Sequence, residues 1–468
     1  MNTEHSTGIH PVANDPIQLR FTPVTEEEYQ TARELVLHES QVSNQWVKVY
    51  CHSAERFSDD PAETMVALKL KPSAALDWTV EGAVAFKLLN GDSPIDQTQP
   101  PDESICQWIG QVIEFDEDGV LYIDMNDPDC VPQRGWFYVC PFNFLRCINR
   151  IYNDHSLSML QKQLSGRLAG CNSGGVNKGG SIPTVTENNE VGLPELRDLW
   201  KHQWGILWGP PGTGKTYHIG NQVTSILADI NAGKGDQERI LIVSTTNRAL
   251  DAVAIELGKA AQKVVPSDLE NARLLRVGKG AKHTTYENEG LLKLLEGSDV
   301  QLMKRLEELR NQWERTVDPN ERLKLKRIIE AVRLQMRDAW KIDFLDPQKK
   351  VICTTVFGAV LMLTHDCVVQ NLEHGQAPFT TVFIDEAGLI SRTTCAALSL
   401  LGSRRILLSG DSKQLSPISR ISRIHPPNRA RWIVSSGLSH LDDMPLDKLP
   451  SYPFTGIEFH RDRMITSF

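Results

Sequence analysis

The chain has 468 residues, a formal net charge of −9, 40% hydrophobic residues and 23% charged ones. That is the profile of a soluble globular protein, with room for two to four domains of about 100–200 residues each. No apolar run reaches the ~18–20 residues of a membrane helix. The polar stretch from Met1 to Pro16 has no apolar signal-peptide core. A soluble, intracellular, cytoplasmic protein with no membrane role is therefore expected. The nine cysteines include no C-x-x-C pair, which argues against zinc ribbons and dithiol redox chemistry. The acidic balance excludes an overall basic nucleic-acid binder and leaves room for a local basic groove.

Residues 1–20 are expected to be disordered. A helix is predicted from Phe21 to about His38. Between Trp46 and Phe142 the texture changes to short alternating strands. Trp46–Tyr50 is one, and Gln111–Phe115 with Val120–Ile123 reads as a hairpin around Asp116-Glu117-Asp118-Gly119. Phe144 to Leu168 returns to helical character. Residues 21–169 thus form a first domain built on a small β-barrel or sandwich. Residues 170–192, rich in Gly, Ser and Asn, read as a linker.

From residue 193 to 425 strands alternate with helices, the signature of a parallel α/β sheet. The strand candidates are Gly205–Trp208, Ile240–Ser244, Val351–Thr354, Thr381–Ile384 and Arg405–Ser409. An insertion over 288–345 interrupts them. Its two charged, helix-favouring stretches meet at Thr316–Asn320. Apolar residues three to four apart (Leu302, Leu306, Leu309 and Trp313, then Leu325, Ile328, Ile329, Val332 and Met336) predict an antiparallel helical hairpin. Its Lys and Arg residues form either a solvated face or one turned to nucleic acid. Residues 426–468 read as a tail or the start of a second domain.

The chemistry is carried by Gly209-Pro210-Pro211-Gly212-Thr213-Gly214-Lys215-Thr216, a full phosphate-binding loop between an apolar strand and a helix. Glycines let successive N–H groups point at phosphate oxygens, and the helix N-terminus adds its positive dipole end. Lys215 reaches the β- and γ-phosphates of ATP, and Thr216 ligates Mg2+. Asp385 and Glu386 end another apolar strand. Asp385 there can hold Mg2+ through water, and Glu386 can orient and deprotonate the attacking water.

Gly410-Asp411-Ser412-Lys413-Gln414-Leu415-Ser416-Pro417 fits G-D-x-x-Q-L-x-P and resembles motif III of superfamily 1 helicases. Ser244 to Asp251 is similar to the S-N-x-A-V-D motif of the nonsense-decay, or superfamily 1B, branch. Val351-Ile352-Cys353-Thr354-Thr355 resembles that branch's V-I-C-T-T motif. The resemblance implies a first RecA-like ATPase domain, a P-loop NTPase with the helical insertion, preceded by a β-barrel with stalk helices. It implies an ATP-driven helicase or translocase, moving 5′ to 3′ on single-stranded DNA or RNA. By motif, Gln414 would sense the γ-phosphate, and Asn247, Thr354 and Thr355 would lie against the nucleic-acid backbone.

The pattern also departs from the family. No L-N-x-x-Q adenine-reading element stands between Gly192 and Gln203. Asp385-Glu386-Ala387-Gly388-Leu389 replaces D-E-A-x-Q and looks like the exonuclease V alpha-subunit and conjugative-relaxase helicases. Motifs V and VI, with an arginine finger, are not visible after Pro417. Only Arg461 and Arg463 resemble part of Q-x-R-M. A second RecA-like domain is therefore expected from a protein partner, a second copy or a continuation. The alternative reading is a nucleotide-switched nucleic-acid-binding or scaffold subunit with weak ATPase activity.

Overall fold

The computed structural model describes residues 15–19, 23–42, 47–56, 65–70, 84–88, 106–115, 120–125, 134–140, 144–173, 203–208, 212, 214–278, 283–297, 339–411 and 424–438, with single positions between 302 and 332 and between 416 and 421. The chain divides into two compact units, one formed by Met1–Val36, Cys147–Val300 and Asp338–Phe468, the other by Leu37–Arg146 and Gln301–Arg337.

The chain enters through β1 (Asp15–Pro16) and α1 (Glu26–Val42). Residues 15–19 fall within the terminus expected to be disordered, yet they are tied down. Ile17 N–H donates to the Gly375 carbonyl at 2.8 Å, Gln18 N–H to the Ser403 carbonyl at 2.8 Å, and Leu19 is buried. Two apolar residues in alternation are too short a pattern to show this pairing in sequence. The helix begins at Glu26 and not at Phe21. The Thr25 hydroxyl accepts from Glu28 N–H at 3.2 Å while the Glu28 carboxylate accepts from Thr25 N–H at 3.1 Å. This reciprocal box fixes where the helix starts.

The second unit holds β2 (Val47–Arg56), β3 (Met65–Leu70), β4 (Val84–Leu88), β5 (Cys106–Phe115), β6 (Val120–Met125) and β7 (Gly135–Cys140), closed as a barrel in the order β2-β3-β6-β5-β4-β7. Alternation puts Val49, Cys51, Val66, Leu68, Leu121, Ile123, Phe137 and Val139 inside. The hairpin expected around residues 116–119 is the β5–β6 pair. The inserted segment 301–337 groups with this unit. Leu302, Leu309 and Trp313 pack there against the buried Val332. Arg322 lies 4.7 Å from the Trp313 ring centre.

The first unit continues with α2 (Phe144–Asn153), α3 (Ser158–Ser173), β8 (Trp204–Trp208), α4 (Lys215–Asn231), β9 (Ile240–Ser244), α5 (Asn247–Val264), α6 (Pro266–Glu270), β10 (Leu274–Arg276), α7 (His283–Asn288), β11 (Val351–Thr355), α8 (Val356–Leu363), α9 (Asp366–Glu373), β12 (Gln376–Ala377), β13 (Phe379–Ile384), α10 (Arg392–Ser399), β14 (Gly402–Gly410) and α11 (Pro427–Val434). Six parallel strands form one sheet in the order β10-β11-β9-β13-β14-β8. The five expected strands are all there. The three-residue edge strand β10 is too short to carry a periodic signal. Most strand residues are fully buried. Ile240, Ile242, Phe383 and Leu407 join the core under α4 and α5, while the alternate residues Leu241, Val243, Val382 and Leu408 are buried as well. Burial on both faces is why these strands read as continuous apolar runs. The expected linker, 170–192, is helical up to Ser173 and otherwise lies outside the described residues.

Helices α4 and α5 cross at Gly220, where a Cβ would stand 2.8 Å from the Glu256 carbonyl carbon and 2.8 Å from the Leu257 nitrogen. Both obstacles are backbone and cannot swing aside. Gly220→Ala should therefore lower stability by about 1–3 kcal/mol through overpacking, although alanine is the better helix former. Thermal or urea unfolding of the variant checks this, and an unchanged midpoint would refute the tight crossing.

Candidate nucleotide site

A parallel sheet delivers every strand's C-terminus to one edge, and that edge is where open α/β sheets bind ligands. Gly410 pairs with Trp208, Ile384 with Leu408 and with Val243, and Thr355 with Ser244. Consequently the phosphate loop after β8, Asn247 after β9, Thr354 and Thr355 at the end of β11, Asp385 and Glu386 after β13 and Asp411 after β14 share one edge. Four buried side-chain oxygens without a hydrogen-bond partner among the described residues also lie there: Ser244 Oγ, Thr354 Oγ1, Asp385 Oδ1 and Ser409 Oγ. Buried polar atoms are normally paired, so such a cluster marks a place built for something else.

In the phosphate loop Gly212 and Gly214 adopt φ +78° and +85°. Side chains disfavour this left-handed region, which is why glycine is needed at both positions. Gly214 caps α4 without a side chain, so the helix N-terminus stays open. Lys215 is buried and Thr216 half-buried at the first turn. Gly209, Pro210, Pro211, Thr213 and Gln414, all expected at the site, lie outside the described residues.

Charge is concentrated and poorly solvated here. Burial pushes the Lys215 ammonium below its ordinary pKa, and the carboxylates of Glu386, Asp385 and Asp411 pull it back. Asp385 is 2% exposed. Burial drives its carboxyl up to about 6, Glu386 pushes the same way, and the neighbouring Ser409 and Lys215 oppose. Ser409 acts by proximity, since its hydroxyl is outside hydrogen-bonding geometry. A desolvated carboxylate with an oxygen unpaired among the described residues fits a divalent cation, for which Thr216 at the helix start would be the complementary ligand. Glu386 sits at φ +54°, a strained conformation for a side chain with a Cβ, of the kind that collects at functional sites.

Sequence alone does not single out Asp411 as a site residue, although it stands in the G-D-x-x-Q-L-x-P pattern. Its placement is a matter of topology. Strand β14 lies between β8 and β13, so the residue just past its C-terminal end faces both Lys215 and the acidic pair. The junction is tight: a Cβ on Gly388 would stand 2.4 Å from the Asp411 carbonyl oxygen, and one on Gly410 would be 3.1 Å from the nitrogens of Ala387 and Gly388. The glycine that distinguishes Asp385-Glu386-Ala387-Gly388 is thus required by contact.

Thr355 is the N-cap of α8, its hydroxyl accepting from Gly358 N–H at 3.2 Å. Thr246 caps α5, accepting from Ala249 N–H at 3.2 Å. Asn247 is the first residue of the helix, and its Oδ1 accepts from Arg276. Thr354 is buried, its hydroxyl beside Gly358, where a Cβ would be 2.4 Å away. Arg404 and Arg405 are committed elsewhere, to Asp236 at 3.3 Å and Glu238 at 2.5 Å. Arg405 lies five residues, or about 16 Å, from the C-terminal end of β14.

Strand, open helix N-terminus, buried lysine and strand-end acids define a P-loop nucleoside triphosphatase with a RecA-like parallel sheet. Residues 195–420 match the family model described as AAA domain. The chain is 27% identical over 255 residues to ATP-dependent helicase NAM7 of Saccharomyces cerevisiae, covering 51% of this chain and 21% of that protein. It is 26% identical over 242 residues to a regulator of nonsense transcripts 1 homolog of Arabidopsis thaliana, covering 51% and 16%. It is 25% identical over 225 residues to DNA polymerase alpha-associated DNA helicase A of S. cerevisiae, covering 45% and 30%. The ATPase domain of this chain is thus similar to superfamily 1 helicases of the nonsense-decay branch, over part of their length. The chain spans less than a third of the length of each of these relatives.

Two outcomes are expected at the site. Asp385's folded value of about 6 lies above its ordinary 3.8, so the folded state holds the extra proton between those values. Stability is therefore fully present below about 4 and lost as pH rises through 6. Asp385→Asn should remove that slope and stabilise the nucleotide-free protein at pH 7 by on the order of 3 kcal/mol, read as a melting temperature; a variant with the wild-type pH profile would contradict it. Gly388→Ala should displace Asp411 from the acidic pair and slow hydrolysis by about 10²-fold, with nucleotide binding largely kept; steady-state kinetics beside a nucleotide titration decide it.

Proposed function

We propose that this chain is the ATP-hydrolysing motor part of a helicase or translocase acting on single-stranded DNA or RNA. The observation that carries the reading is the shared edge. The nucleotide residues and the motif residues Asn247, Thr354 and Thr355 leave the same sheet on neighbouring strands. A change in one loop is thereby transmitted to the next through backbone pairing and close packing.

In this reading the phosphate-loop N–H groups and Lys215 hold the triphosphate. Thr216 and Asp385 would hold Mg2+, which when bound would shield the phosphate charge. Glu386 orients a water toward the γ-phosphate and accepts its proton. Gln414 reads the γ-phosphate, and Asp411 braces the acid loop against the end of β14. Nucleic acid is held by its backbone at the half-exposed Asn247, without sequence readout, while the buried Thr354 and Thr355 shape the end of β11 behind it. The arginine that opposes the phosphates comes, in this reading, from a second RecA-like domain, in a longer chain, a protein partner or a second copy; Arg404 and Arg405 pair with Asp236 and Glu238, and Arg420 and Arg423 lie outside the described residues. Among the described residues no helix is long and apolar enough to cross a membrane. Cys51, Cys353 and Cys367 are free thiols, which fits a reducing, cytoplasmic setting.

ATP hydrolysis should rise many-fold with added single-stranded oligonucleotide. Glu386→Gln should keep nucleotide affinity and cut turnover by about 10²–10⁴-fold, while Lys215→Ala should lose both. A wild-type rate indifferent to single strands would favour the nucleotide-switched scaffold.

A further inference from the structure

Arg276 ends the edge strand β10 with a fully buried side chain. A guanidinium carries five N–H donors and no acceptor, and here they reach Asp251, Asn247 and the carbonyls of Gly278 and, at 3.4 Å, Val277. Nε donates to Asp251 Oδ1 at 3.0 Å, Nη1 to the Gly278 carbonyl at 2.6 Å, and Nη2 to Asn247 Oδ1. The Tyr286 hydroxyl donates to the same Asp251 oxygen at 2.8 Å. A buried ion pair is weak support for stability, since apolar groups of similar volume often do as well. This one does something an apolar pair cannot: it gives an amide a direction.

Arg276 can only donate, so the Asn247 atom facing it must be the carbonyl oxygen. The opposite flip would set N–H against N–H. The Nδ2 arm, with its two donors, is thereby turned away from Arg276, and Asn247 is half-exposed at the start of α5. Phosphate oxygens only accept, so an amide held N–H2-outward greets a nucleic-acid backbone and one held oxygen-outward repels it. Gly278, at φ +98°, lies near both Arg276 and Thr354: a Cβ there would be 3.8 Å from Arg276 Nη1 and 3.9 Å from Thr354 Oγ1.

We propose that Arg276, braced by Asp251 and Tyr286, is a positioning residue for nucleic-acid binding, locking the Asn247 amide with its N–H2 turned toward the phosphate backbone. The inference rests on the reading that nucleic acid crosses Asn247.

The test compares variants for binding a fluorescently labelled oligo-dT or oligo-U strand, and for the strand concentration giving half-maximal stimulation of ATP hydrolysis. Asn247→Asp keeps the acceptor for Arg276 and turns a carboxylate oxygen outward in place of the N–H2. It should fold with an undiminished melting temperature, bind strand about tenfold more weakly than wild type, and bind more weakly than Asn247→Ala. The half-maximal concentration should rise in step while the rate at saturating strand holds. Arg276→Met combined with Asp251→Asn removes both buried charges, leaves neither unpaired and frees the amide to rotate; a several-fold loss of affinity is expected. If Asn247→Ala binds as wild type does, nucleic acid does not cross Asn247 and the underlying reading fails. If Asn247→Ala weakens binding but Asn247→Asp is no weaker still, that reading survives and the positioning role of Arg276 is overturned. Should the double variant not fold, the two Asn247 variants decide the matter alone.

Discussion

The structure depends on one electrostatic constraint: a lysine and three carboxylates share a poorly solvated edge of a parallel sheet. Lys215 loses hydration by burial and regains part of the loss from Glu386, Asp385 and Asp411. Asp385 gains less, because its burial outweighs the help of Ser409 and Lys215. With one lysine against three carboxylates the site is short of positive charge. A divalent cation would supply it, which makes the unliganded edge a cost to stability and a gain for binding.

Backbone contact turns that edge into a mechanical unit. Gly388 and Gly410 let the acid loop and the end of β14 touch without side chains between them. Displacing Asp411 would therefore displace the loop that carries Glu386, itself held in a strained backbone conformation. Packed interfaces of this kind shift between discrete arrangements more readily than they deform. Gly358 does the same service at the next strands, leaving room for the Thr354 hydroxyl beneath α8.

The Asp251–Arg276–Tyr286 group adds a second use of buried polarity on the same unit. At the phosphate loop, burial sharpens charge. Around Arg276, burial fixes orientation, because a donor-only group dictates which atom of its neighbour must face it. Both rest on side chains from separate strands and helices that come together only in the folded sheet.

Much of this is legible in the residues themselves. The phosphate loop, the acids after β13 and the five long strands announce themselves because their constraints are local: glycines at left-handed positions, an open helix start, apolar runs buried on both faces. The barrel strands show through alternation, a period-two signal within single segments. Other features depend on partners distant in sequence. The tether of residues 15–19 needs Gly375 and Ser403, and β10 needs β11 beside it. The place of Asp411 comes from β14 lying between β8 and β13, and the necessity of Gly388 from a carbonyl that only folding brings near. The order of residues is enough to commit this chain to a phosphate-binding loop backed by strand-end acids. Which groups crowd and orient them is settled only on folding, since burial and close approach are properties of the packed chain and not of any one segment.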